Sequence, residues 1–151
     1  MRPRVQLTGL AALLLGAAAP ASAGSAVTAQ TTAGTSSLEL DGRGTSSTHI
    51  VKIAELSLSS DASAGLTMTI TSGSLAKADG STPVTFQVVL VDRAAQAPAS
   101  AAFTTASGTP YLFSTHSAGT VEKDIYIKYA PAARQDPGSY SASVDLDVMD
   151  N

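Results

Sequence analysis

The chain has 151 residues, with 9 Lys and Arg against 12 Asp and Glu, a net charge of −3, and no cysteine. That length holds at most one ordinary domain. Without cysteine there is no disulfide framework, thiolate zinc site, catalytic thiol or lipoprotein anchor. The acidic balance speaks against nucleic acid or an anionic membrane surface as a partner.

Residues 1–23 read as a secretory signal peptide. "MRPRVQ" supplies the basic start and "LTGLAALLLGAAA" the apolar stretch. "PASA" ends in small residues at Ala21 and Ala23. The apolar run is too short to cross a bilayer, and the order basic, apolar, small is that of an export leader. Cleavage is expected before Gly24, with a second small-residue site after Ala29. The mature chain is therefore expected to carry no membrane span and to lie in the periplasm, at the cell surface or outside the cell. Residues 24–37, "GSAVTAQTTAGTSS", hold only small and polar side chains plus one valine. They read as a flexible N-terminal arm before a domain at 38–151.

Within that domain the dominant signal is period-two alternation, which marks strands with one face in the core. The stretch His49–Ser60 is the first long strand. Its alternation is clean at Ala54, Leu56 and Leu58 and blurred at Ile50, Val51 and Ile53, which predicts a bulge or a strand covered on both faces. Next, "LTMTITSGSL" puts Leu66, Met68 and Ile70 on one side. "PVTFQVVLVD" puts Val84, Phe86, Val88 and Leu90 inward, with Val89 and Val91 implying cover on the other face. The stretch 93–110 reads as a long loop with one weak edge strand, and "YLFST" as a short strand. "TVEKDIYIKY" turns Val121, Ile125, Ile127 and Tyr129 inward and Glu122, Asp124 and Lys128 outward, with Tyr126 on the polar side. The last strand, from Tyr140, aligns Ala142, Val144, Leu146 and Val148 against Ser141, Ser143, Asp145 and Asp147. About seven strands separated by turns, with no helical crossover, predict an all-β fold, an antiparallel immunoglobulin-like β-sandwich; a β-barrel is the alternative.

Several clusters invite a chemical reading. Pro137 and Gly138 suit the two central positions of a type II turn. Tyr140 then opens the strand, as a tyrosine corner bonding back toward Ala133–Asp136 or as a core tyrosine with its hydroxyl at the rim. Asp145 and Asp147 share a face, but two carboxylates on one strand fall short of the six to eight oxygens that calcium takes. They are expected to keep the sheet face in water. His49 and His116 stand far apart, and no nucleophile elbow, zincin motif or phosphate loop accompanies them. No catalytic residue, metal or cofactor is expected. In the arm, Val27, Ala29, Thr31 and Ala33 alternate with polar or small residues. Such a segment can add to the sheet edge of a neighbouring subunit, or serve as a tether.

The stretch "PGSYSASVDLDV" resembles the P-G-T-Y-x-x-x-V-x-V-x-V ending of the spore coat protein U and fimbrial subunit families, matched at Pro137, Gly138, Tyr140, Val144, Leu146 and Val148. WxL surface domains end similarly, but Leu146 stands where their tryptophan would be. The resemblance implies a bacterial secreted β-sandwich that polymerises through chaperone–usher assembly. The expected function is a non-enzymatic surface or fimbria-like structural subunit that self-associates in a surface or pilus assembly. The alternative is a monomeric binding module for carbohydrate or calcium. A secreted hydrolase would require one histidine to meet a serine and a carboxylate.

Overall fold

The computed structural model describes residues 4–9, 14–15, 24–31, 46–79, 82–135 and 139–151. The fold is all-β and antiparallel, with no α-helix among these residues. Its strands are β1 (Arg4–Gly9), β2 (Leu14–Leu15), β3 (Ala26–Thr31), β4 (His49–Ser60), β5 (Leu66–Ser72), β6 (Ser74–Lys77), β7 (Val84–Asp92), β8 (Tyr111–Ser114), β9 (Gly119–Tyr129) and β10 (Tyr140–Asp150). The pairing path runs β2-β1-β10-β6-β7-β9-β4-β3, with β5 on β10 and β8 on β5.

Strands β5 and β6 are separated by Gly73 alone and lie along the same side of β10, from Asp150↔Leu66 to Tyr140↔Lys77. The start of β6 also pairs with β7, through Ser74↔Thr85 and Leu75↔Val84. This short strand is thus a seam. On one side of it lie β10, β5, β8 and β1; on the other lie β7, β9, β4 and β3. The inward rows of both groups meet in a single cluster that includes Leu56, Leu58, Met68, Ile70, Phe86, Ile125, Ile127, Tyr140, Val144 and Leu146. Fully burying each such apolar side chain is worth about 1.5–3 kcal/mol, so this cluster sets the register of every strand that feeds it.

The blurred alternation in β4 has a structural cause. The β4–β9 register shifts between Lys52 and Ala54, so Ile53 is an extra, buried residue. The outer face of the neighbouring strands is covered too: Val89 of β7, Tyr126 of β9 and Phe103 form a second buried cluster, with Ile50 of β4, Val91 and Tyr111 packed against it. Phe103 comes from the stretch 93–110, which contains a single 3₁₀ turn at Ser100–Ala102 and no edge strand. Folded over β7 and β9, that loop corrects two expectations. Tyr126 is buried rather than projecting from an open polar face, and Asp124 is buried rather than solvated.

Candidate functional site

Two strand edges and one charged cluster carry the features with functional potential. The first edge belongs to β10. Its alternating row puts Tyr140, Ala142, Val144 and Leu146 in the core, while Asp145 and Asp147 are half-buried on the other face. One side of β10 is bonded to β5 and β6, and the opposite side is covered from Tyr140 to Asp145 by β1. In that ladder Val5 registers with Val144, Leu7 with Ala142 and Gly9 with Tyr140. The cover of this edge therefore comes from within the segment read as a leader.

The second edge is β3, which lies in the stretch read as a flexible arm. It pairs with β4 over Ala26↔Ser59 to Thr31↔Ala54, placing Val27 opposite Leu58 and Ala29 opposite Leu56. Ala29 is buried in the main core and Val27 is packed against it. The root of β3 is tied to the end of β10, because the Ser25 N–H donates to Asp150 Oδ2 at 3.2 Å and Ser60 Oγ donates to Asp150 Oδ1 at 2.8 Å. Next door, the Asn151 amide donates to the carbonyls of Ala64 and Thr115 at 3.1 and 2.8 Å, beside Gly65. Ala33, Pro137 and Gly138 lie outside the described residues.

Tyr140 is buried, and its hydroxyl accepts a hydrogen bond from Gln135 Nε2 at 2.8 Å. Gln135 is 6% exposed; the same Nε2 donates to the Thr82 carbonyl at 2.7 Å, and its Oε1 accepts from the Ala132 N–H at 3.3 Å. This partner sits in the segment expected for a tyrosine corner and is a side-chain amide.

The charged cluster lies on the outer face of β4 and β9. Asp124 is only 1% exposed, and its Oδ2 is 2.8 Å from Lys52 Nζ. Lys52 Nζ is also 2.8 Å from Glu55 Oε1. The two carboxylates raise the Lys52 pKa above its ordinary 10.5, the hydrogen bond to Asp124 contributing most and that to Glu55 next. Arg93 borders the group, with Nη1 at 3.2 Å from Glu122 Oε2 and 3.9 Å from Glu55 Oε2, and Nη2 donating to the Leu56 carbonyl at 3.0 Å. The Ala94 N–H donates to Asp124 Oδ2 at 3.2 Å from a residue held at φ 60°, a left-handed conformation that costs a non-glycine residue about 1 kcal/mol or more. Asp124 Oδ1 is buried without a hydrogen-bond partner. Period-two reading missed this cluster, because it assigns Asp124 to a face without revealing what covers that face.

His49 stacks on Tyr129, with ring centroids 5.1 Å apart, and its Nε2 is 3.1 Å from Ser47 Oγ. His116 is exposed in the turn after β8. Among the described residues no group of three His, Cys, Asp or Glu side chains is placed to hold a metal ion. Near His49 a cleft of about 370 Å³ is lined by Thr48, Thr85, Gln87, Ser107, Lys128 and Tyr129, among others. No helix of the described residues is long and apolar enough to cross a membrane. Compared with known proteins, the chain matches no family model, no curated protein and no solved structure.

Proposed function

We propose that this chain is an exported, non-enzymatic structural subunit, an immunoglobulin-like sandwich that associates with further copies by strand addition in a surface or pilus-like assembly. The observation that carries the reading is the position of β1. It covers the β10 edge from Tyr140 to Asp145 and comes from residues 4–9, which removal of a leader would take away. The vacated edge would present unpaired backbone N–H and C=O groups beside an apolar row, a template for another strand. The arm has the matching pattern. Val27, Ala29 and Thr31 repeat the spacing of Val5, Leu7 and Gly9, so an arm from a second copy can set Val27 opposite Val144 and Ala29 opposite Ala142. The single core to which the inward rows of both strand groups contribute supports the sandwich reading.

The test is light scattering coupled to size exclusion on the chain starting at Gly24, with and without a synthetic peptide of the sequence RVQLTG. Concentration-dependent polymers that the peptide suppresses are expected, together with their loss when residues 24–37 are deleted. A chain that stays monomeric at every concentration would sink the proposal. The cleft beside Lys128, with its hydroxyl and amide rim, favours the second reading, a binding module for a small polyhydroxylated ligand. Titration of simple sugars against the monomer decides it.

A further inference from the structure

We propose that Lys52 and Asp124 condense into an intramolecular amide that joins β4 to β9, with Glu55 carrying the protons. The inference is independent of strand addition. It begins with the bulge. In a regular strand, residues 52 and 55 fall on opposite faces. The extra residue Ile53 brings both onto the face where Asp124 stands, and bulges are a recurrent means of re-aiming side chains beside reactive sites. The outcome is a lysine nitrogen at 2.8 Å from two carboxylates on adjacent strands.

The acceptor is arranged for attack. Asp124 is 1% exposed, which shelters its carboxyl carbon and an amide formed on it, while Lys52 and Glu55 stay in reach of solvent at 23% and 36% exposure. The Ala94 N–H, aimed at Oδ2 from a strained backbone position, can take up the charge that develops on that oxygen as nitrogen adds to Cγ. Holding amine and carboxyl in contact converts an unfavourable bimolecular condensation into an intramolecular one. A plain ion pair gives a poorer account of the site. An ion pair whose lysine is 23% exposed contributes little net stability, and here it leaves the buried Oδ1 without a hydrogen-bond partner. In the amide one oxygen is gone and the other keeps the Ala94 hydrogen bond.

The step balances without any oxidant or co-reactant. The Lys52 ammonium gives a proton to the Glu55 carboxylate, and the free amine forms the Nζ–Cγ bond. Of the three protons on the Lys52 ammonium, one stays on the amide nitrogen and two, taken from the nitrogen by Glu55, leave with Oδ1 as water. Glu55 ends as the carboxylate it began as, and the lysine and aspartate charges cancel.

The experiment is denaturing intact-mass spectrometry and tryptic mapping of the protein purified from cells expressing the full chain, fresh and after prolonged incubation. The expected result is a mass lower by one water, with a branched peptide joining Lys52, uncut by trypsin, to Asp124. Lys52→Arg and Asp124→Ala should remove the branch, and Glu55→Gln should lower the linked fraction at least tenfold. An Asp124→Asn chain should lose ammonia in place of water. An unshifted wild-type mass after incubation overturns the proposal whether or not the variants fold. So does a water loss that maps to Asp41-Gly42 or Asp79-Gly80 instead.

Discussion

Replacing Gln135 by alanine tests the reading of the turn that leads into β10. The side chain makes three hydrogen bonds: to Thr82 O at 2.7 Å, to Tyr140 Oη at 2.8 Å and from Ala132 N at 3.3 Å. At about 1 kcal/mol for each well-formed neutral bond and less for the long one, Gln135→Ala should cost roughly 2–3 kcal/mol. Tyr140→Phe removes the shared bond and should cost about 1 kcal/mol or more, while the buried ring keeps its packing. Because the shared bond is lost once in the double variant, its cost should fall about 1 kcal/mol short of the sum. Urea unfolding followed by circular dichroism reads all three, with the slope unchanged. For a chain of this size each kcal/mol also moves Tm by about 2–4 °C. A coupling below about 0.3 kcal/mol would refute a stabilising hydrogen bond between Gln135 and Tyr140.

Two further outcomes follow from the geometry. Gly65 adopts φ +81°, and a Cβ there would overlap the Thr115 carbonyl, so Gly65→Ala should destabilise by about 2 kcal/mol or more in the same urea assay, whereas Gly108→Ala, also at positive φ but in open space, should cost about 1 kcal/mol. In Glu55→Gln, where the Lys52 amine stays free, Asp124 still holds the lysine pKa above 10.5. A lysine with a raised folded pKa gives stability that is complete below pH 10.5 and is lost as pH rises through the folded value. Alkaline unfolding of Glu55→Gln should therefore be steeper above that pH than for Glu55→Gln combined with Lys52→Met, and equal slopes would contradict it.

What the sequence makes legible is the set of inward rows. Met68 and Ile70, Phe86 and Val88, and Val144 and Leu146 alternate with polar residues, Ile125 and Ile127 flank Tyr126, and all eight are buried. The irregularity at Ile50–Ile53 is legible too, as a bulge or a strand covered on both faces; the register shift at Ile53 answers to the first, and the packing of Ile50 against the outer cluster to the second at that one residue. Less legible was anything set by distant chain. Asp124 and Tyr126 look solvated because alternation says which side a residue takes and nothing about a loop folding over it. The arm looks like a tether because alanine and threonine bury little area, yet six backbone pairs with β4 place it in the sheet. Likewise the partner of Tyr140 depends on Gln135 reaching Thr82, more than fifty positions upstream.

The Lys52–Asp124 contact has a bearing on durability. A chain without cysteine has no thiol chemistry to staple itself in an oxidising compartment or to lose in a reducing one. An amide between positions 52 and 124 would close the intervening chain into a ring that no reductant opens. It would shrink the unfolded ensemble as a long-loop disulfide does. Such a ring would keep its hold through changes of redox potential, metal supply and salt.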